Sequence, residues 1–119
     1  ANEVNLMMGS YIVERVKVDN GGTLKGKKVQ VIGVAYKADV ADVRETPAEQ
    51  IIEALEKAEA EISWHDPVVG TWHGKKSTDL GSDIAIVVTL HNSFNESEIM
   101  NSARYILDTS GKLGKATQL

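Results

Sequence analysis

Apolar residues recur at helical spacing from the start of the chain: Val4, Met8, Tyr11, Ile12 and Val16, with Glu14, Arg15 and Lys17 on the other face. This predicts a long amphipathic helix over residues 3–18. Asn20-Gly21-Gly22 closes it, because glycine accepts the left-handed conformation that ends helices. The period then changes. Val29, Val31, Ile32 and Val34 make a β-branched run, predicting a strand over 29–35 that is buried on both faces, with Gly33 allowing a close approach to its backbone. Helical spacing returns over 47–58, with Ile51, Ile52, Leu55 and Ala58 inward. Glu61-Ile-Ser-Trp-His65 alternates, with Ile62 and Trp64 on one face, and predicts a short strand stopping at Asp66-Pro67. Ile84–Leu90 predicts a third buried strand, Asn95 caps a short helix, and Tyr105-Ile-Leu-Asp108 predicts a fourth strand.

Strand, helix and strand in that order form a βαβ unit, whose strands run parallel with a right-handed crossover. The expected fold is α/β: a three-layer domain with a short parallel sheet, preceded by the long helix. Residues 68–82 are polar and glycine-bearing without periodicity, so they read as a connection. From Gly111 onward the chain reads as a Lys/Gly tail that frays.

Charge crowds into the elbow between the first strand and the second helix: Lys37, Asp39, Asp42, Arg44 and Glu45. Open α/β sheets bind ligands just beyond the carboxyl ends of their strands. Thr46-Pro47-Ala48-Glu49 reads as a capping box, in which the Thr46 hydroxyl accepts from the Glu49 amide and the Glu49 carboxylate reaches back to the Thr46 amide. Pro47 takes the first helical position, where its missing N–H is not needed. Pinned at both ends, the elbow turns its charges to water or to a ligand. The residues alone leave both open, a solvated loop with Arg44 on Asp42 being the plainer reading.

Composition narrows the classes. The 119 residues make one domain. A net charge of −4 leaves no basic stripe for nucleic acid. With no cysteine there is no disulfide, thiolate metal site or cysteine nucleophile in this chain. No signal peptide or membrane-spanning run is visible, and a cytoplasmic protein is the simple expectation. The chain opens on Ala1 in mid-pattern, which reads as an excised or processed piece.

Among the histidines, His65 ends the second strand beside Asp66, where nucleotide-binding folds place an acid for a ribose hydroxyl, and His91 ends the third. With Lys37 they can line one crevice, although solvent-facing hydrogen bonding is the commoner role of such residues. A zinc set of His65, Asp66 and His73 lacks suitable spacing and supporting groups, so no metal is expected. Asp39 and Asp42 are a carboxylate pair of the kind used in acid/base work, but nothing places a substrate between them; pairing with Arg44 or Lys37 is the plainer reading. No Gly-x-Gly-x-x-Gly turn for a dinucleotide is present.

Leu24-Lys-Gly-Lys-Lys28 leading into Val31-Ile-Gly-Val-Ala-Tyr-Lys37, then Asp39, Asp42 and Arg44-Glu-Thr-Pro47, resembles the carboxy-terminal, UDP-binding domain of the UDP-glucose/GDP-mannose dehydrogenase family. Within it, the UDP-N-acetylmannosamine dehydrogenases look most similar. The likeness continues through Leu55, Trp64-His-Asp-Pro67, Ile84-Ala-Ile-Val-Val-Thr89 and Asp108-Thr109.

The resemblance implies a Rossmann-like, UDP-sugar-binding domain at 23–119. Residues 1–22 would then be the end of a helix that joins it to an N-terminal dinucleotide-binding domain and builds a homodimer through helix 3–18, with Met7 and Met8 in the seam. It implies an NAD-dependent enzyme that oxidises the C6 hydroxyl of a UDP-N-acetylhexosamine, or UDP-glucose, to the uronate. That reaction passes two hydrides to two NAD molecules through a cysteine-bound intermediate. Without the dinucleotide domain and the catalytic cysteine, this chain is expected to be inactive alone. By position, the resemblance makes Lys37 the group that reaches the UDP moiety and Arg44 the group that reaches NAD across the cleft, while Asp39, Asp42 and Glu45 hold the elbow in shape.

Five departures stand out. Asn2 and Ser110 replace arginines that contact the nucleotide, Leu6 and Gly9 replace an aspartate and a proline, and Glu59 replaces a glycine. Each lost charge-assisted hydrogen bond is worth about 1.5–3 kcal/mol. The alternative is a diverged, non-catalytic module that keeps the fold and dimerises or binds another nucleotide.

Overall fold

The computed structural model describes the backbone of residues 2–119 and the side chains of residues 8–119; Val4, Leu6, Met7 and the substitution at Asn2 lie outside the described side chains. Among the described residues three helices, α1 (Asn2–Asp19), α2 (Pro47–Lys57) and α3 (Glu96–Met100), accompany seven strands. These are β1 (Lys28–Ile32), β2 (Glu61–His65), β3 (Thr71–Trp72), β4 (Lys75–Lys76), β5 (Ile84–Val87), β6 (Tyr105–Asp108) and β7 (Thr117–Gln118).

Five strands form one sheet in the order β2-β1-β5-β6-β7. Every neighbouring pair in it is parallel. Successive side chains of a strand point to opposite faces, so each strand feeds two cores. Val29, Val31, Ile84, Ile86 and Leu107 join Ile12, Val13, Val16, Ile51 and Leu55 of α1 and α2 on one face. Ile32, Ala85, Val87 and Ile106 join Ile99 of α3 on the other. This is the expected three-layer α/β architecture. Among the described residues no helix is long and apolar enough to cross a membrane.

Several local expectations are corrected. The first strand ends at Ile32, because Gly33 turns the chain at φ 80°. A Cβ there would lie 1.8 Å from the Thr89 carbonyl oxygen, so the close approach expected at Gly33 is to the strand-end backbone of residue 89. On α1 the buried stripe is Ile12, Val13 and Val16, while Met8, Tyr11 and Val18 face outward. Gly9 sits where α1 crosses α2: a Cβ would meet the Gln50 backbone at 2.8 Å, so glycine permits the crossing.

Thr46 caps α2, but not reciprocally. Its hydroxyl accepts from the Ala48 amide at 3.2 Å, and the Glu49 carboxylate turns away to the His73 Nε2 at 2.9 Å. Asn95 caps α3 as expected, accepting from the Glu98 amide at 3.0 Å.

The supposed connection 68–82 contains the β3–β4 hairpin. Its two-residue turn has φ 51° at His73 and φ 73° at Gly74, the positive pair that tight hairpins require. The hairpin buries Trp72 edge-to-face against Trp64, with ring centroids 5.9 Å apart.

The tail does not fray. Leu113 and Ala116 are buried and β7 extends the sheet. Asp108 organises this return: one carboxylate oxygen accepts from the Ser110 amide at 2.8 Å, the other from the Leu113 amide at 2.8 Å and from Gln118 Nε2 at 3.2 Å.

Candidate functional site

In strand rank the sheet order is 2-1-3-4-5, so the winding reverses between β1 and β5. The crevice beyond the carboxyl ends of such a pair is where doubly wound sheets take ligands. Two segments border it here: the elbow after β1, residues 36–45, and the turn after β5 that carries His91 and Asn92.

The Tyr36 amide donates to the Asp42 carbonyl at 2.6 Å and closes the elbow into a loop. At its rim, Arg44 grips Asp42. Nη2 donates to Oδ2 at 2.7 Å, Nε to Oδ1 at 3.1 Å, and the Arg44 amide donates to Oδ1 at 2.9 Å. Hydrogen bonds from the Arg44 side chain and amide lower the Asp42 carboxyl from 3.8 to about 2, and the same pairing raises the guanidinium. The pair stands in solvent, with the Arg44 side chain 88% exposed. Tyr36, Asp42, Arg44 and Glu45 line a shallow hollow of about 420 Å³. Lys37 and Asp39 are not among its lining residues, so the structure gathers three of the five candidates around the hollow and sets two beside it. Lys37 is exposed and makes no ion pair among the described residues.

Asp39 faces the other segment. Its carboxylate accepts from the Asn92 amide at 2.8 Å and from Asn92 Nδ2 at 2.5 Å. Its own amide donates to His91 Nδ1 at 2.7 Å. Asp39 and Glu45 are both left-handed, at φ 67° and 56°. Two non-glycine residues in that region within one short elbow are uncommon and are held by their surroundings.

The histidines part company. His91 is 1% exposed and does not line a crevice. Nδ1 accepts from Asp39, so the ring proton sits on Nε2 and is donated to Asp66 Oδ2 at 2.9 Å. Asp66 is fully buried and unavailable to a ribose. One oxygen also accepts from the Val34 amide at 2.9 Å and the Ala35 amide at 3.3 Å, the other from the Val68 and Val69 amides at 3.1 and 3.2 Å. His65 Nδ1 instead bonds the Thr78 carbonyl at 2.6 Å, and His73 pairs with Glu49. Among the described residues no three His, Cys, Asp or Glu converge as a metal site.

Sequence reasoning missed the Asp66–His91 anchor. Asp-Pro followed by two free amides marks the Asx turn that Asp66 makes. Nothing local joins it to a histidine 25 residues away.

A parallel sheet in this order, covered on both faces and bearing a charged elbow at its switch point, defines the doubly wound class of nucleotide-binding folds. Residues 30–115 match the UDP binding domain of the UDP-glucose/GDP-mannose dehydrogenase family, and the chain belongs to that family. A UDP-N-acetyl-D-mannosamine dehydrogenase of Methanococcus vannielii is 30% identical over 99 residues, covering 79% of this chain and 23% of that protein. UDP-glucose 6-dehydrogenase 5 of Oryza sativa subsp. japonica is 40% identical over 67 residues, 56% of this chain and 14% of that one. The UDP-N-acetyl-mannosamine dehydrogenase structure from Staphylococcus aureus superposes with a TM-score of 0.71 at 26% identity, covering 98% of this chain and 30% of that chain. The chain thus spans under a quarter of the length of these two curated relatives.

Proposed function

We propose that this chain is the domain of a UDP-sugar 6-dehydrogenase that grips the UDP end of the substrate, with the elbow as the gripping element. The observation that carries this is position: the elbow stands at the switch point of a family UDP-binding domain and presents Lys37 and Arg44 to solvent. An ammonium beside a diphosphate is a sensible use of a compact, mobile charge, so Lys37 is assigned to the substrate. The planar Arg44 fork suits a pyrophosphate or a ribose-amide edge, so it is assigned to NAD held mainly by an N-terminal domain. Arg44 must leave Asp42 to do so. Both groups are solvent-accessible, and such pairs are weak enough to exchange.

NAD would supply the hydride acceptor. Without a phosphate-cradling glycine turn, the residues present fit it only through Arg44. Residues 1–22 are assigned to the joining helix and 23–119 to UDP-sugar binding. A homodimer through helix 3–18 is supported by Met8, Tyr11 and Val18, which face outward. Alone, the chain holds no cysteine and is inactive on a sugar. A UDP-N-acetylhexosamine is favoured as substrate because the relatives matched over most of the chain carry that name.

One observation favours the second reading, a non-catalytic module. Ser110 points inward, its hydroxyl 2.5 Å from the Asp108 carboxylate, so it offers the nucleotide no cation. Kinetics of the intact enzyme test the assignment. Lys37→Ala should raise the KM for the UDP-sugar well above any change in kcat, and an unchanged KM would sink the role given to Lys37.

A further inference from the structure

The middle of the elbow is tied to a buried imidazole and to the residue that follows it. Asp39 is a non-glycine residue at φ 67°, a conformation that aspartate tolerates better than most side chains when its carboxylate is hydrogen-bonded. Three hydrogen bonds keep it there, all to two consecutive residues after β5: its amide to His91 Nδ1, and its carboxylate from the amide and side chain of Asn92. His91 is itself closely packed. It is 1% exposed, its ring stands edge-to-face on Phe94 with centroids 4.9 Å apart, and its Nε2–H is spent on Asp66. Asp66 in turn accepts from the Val34 and Ala35 amides, the residues that lead into the elbow. The circuit closes: elbow root, Asp66, His91, elbow middle.

We propose that His91 is a positioning residue for the nucleotide site. Its Nδ1, by accepting from the Asp39 amide, sets the elbow in the conformation that presents Lys37 and Arg44. The proposal rests on the reading of the elbow as the UDP-sugar site. It separates two jobs of one ring: Nε2 satisfies a buried carboxylate, which is structural, and Nδ1 shapes the elbow, which is functional. It also requires the ring to be neutral, because a proton on Nδ1 would face the Asp39 N–H, donor against donor. The titratable groups around it are Asp66 beyond the end of β2, the Asp39 carboxylate on the elbow, and His65, which lies on the other side of Phe94.

Two amide side chains divide the ring's functions. In His91→Asn the side-chain oxygen replaces Nδ1 as an acceptor but nothing reaches Asp66; in His91→Gln the amide nitrogen reaches Asp66 but the Nδ1 acceptor is gone. Both variants should lower the unfolding midpoint, since each leaves one buried bond unmade. Hydrogen exchange of the Asp39 amide, read by NMR on the whole chain, should stay slow in His91→Asn and accelerate at least tenfold in His91→Gln. UDP-glucose, used as the probe, should bind His91→Gln on the order of tenfold more weakly than His91→Asn. A merely structural His91 would move both variants alike, and equal exchange at Asp39 or equal UDP-glucose affinity in the two overturns the proposal. The underlying reading fails in a different way: the wild-type chain takes no UDP-glucose while its Asp39 amide remains protected, which removes any ligand for the elbow to be positioned for.

Discussion

Gly33→Ala tests how tightly the root of the elbow is built. The new Cβ would lie 1.8 Å from the Thr89 oxygen, 2.7 Å from its carbonyl carbon and 2.9 Å from its nitrogen. All three are backbone atoms, and they cannot retreat freely. The Val88 amide donates to the Ile32 carbonyl at 2.9 Å, the Thr89 hydroxyl donates to the Ala35 carbonyl at 2.7 Å, and the Gly33 amide is tied to the His65 carbonyl at 2.9 Å. Holding alanine at φ 80° contributes about 1–2 kcal/mol of strain. Forcing two packed strand ends apart adds about 1–3 kcal/mol. The total of about 2–5 kcal/mol is a large share of the roughly 5–15 kcal/mol that stabilises a domain of this size. At about 4 °C per kcal/mol, Tm should fall by roughly 8–20 °C. Urea and thermal unfolding followed by circular dichroism measure it directly. A loss below about 1 kcal/mol would refute the reasoning, because an ordinary surface change already reaches half of that.

Other expectations come from the same geometry. Leu113→Ala should cost about 2–5 kcal/mol, because the side chain is 1% exposed in the second core, and a neutral result would make the tail a loose end after all. Glu59→Gly should stabilise by about 0.5–1 kcal/mol, because Glu59 sits at φ 61° and its contact with Lys25 is exposed; a lower urea midpoint would contradict this. Asp42 binds its proton less readily when folded, so its pairing with Arg44 contributes fully above 3.8 and is lost as pH falls toward about 2. Following the Asp42 carboxyl carbon by NMR should show this depressed titration in the wild type and a return toward 3.8 in Arg44→Ala; identical curves would contradict the pairing.

How much of this was legible depended on the range of the interaction. β1, β2, β5 and β6 were legible because their pattern is local: Val29 and Val31, or Ile62 and Trp64, need only the pleat to find their face. The cap at Thr46 was legible too, yet its reciprocal arm was not, since His73 draws Glu49 away from 24 residues along the chain. The stripe of α1 was legible at Ile12 and Val16, but Val13 is the third core residue while Met8 and Tyr11 face outward. The hairpin was hidden because histidine at a left-handed turn position is not a usual turn signal. The tail was hidden because Leu113 and Ala116 stand alone among lysines and glycines, and it takes bonds from the Asp108 carboxylate and within the turn itself to bring Thr117 and Gln118 into the sheet. At the site, the elbow's charges were visible as a cluster, and the pairing of Arg44 with Asp42, two residues apart, was legible as the plainer reading of the loop. The meeting of Asp39 with Asn92 was not, because it spans 53 residues and forms only where the turn after β5 comes beside the elbow.

Lys37 on the elbow is proposed to hold the diphosphate of a UDP-sugar. Calorimetric titration of the chain with UDP at moderate salt, repeated on Lys37→Ala, tests it most directly. Weak binding that disappears in the variant is expected, with the fold of the variant unchanged by circular dichroism. Binding of equal strength in the two proteins would contradict it and move the nucleotide to another part of the surface.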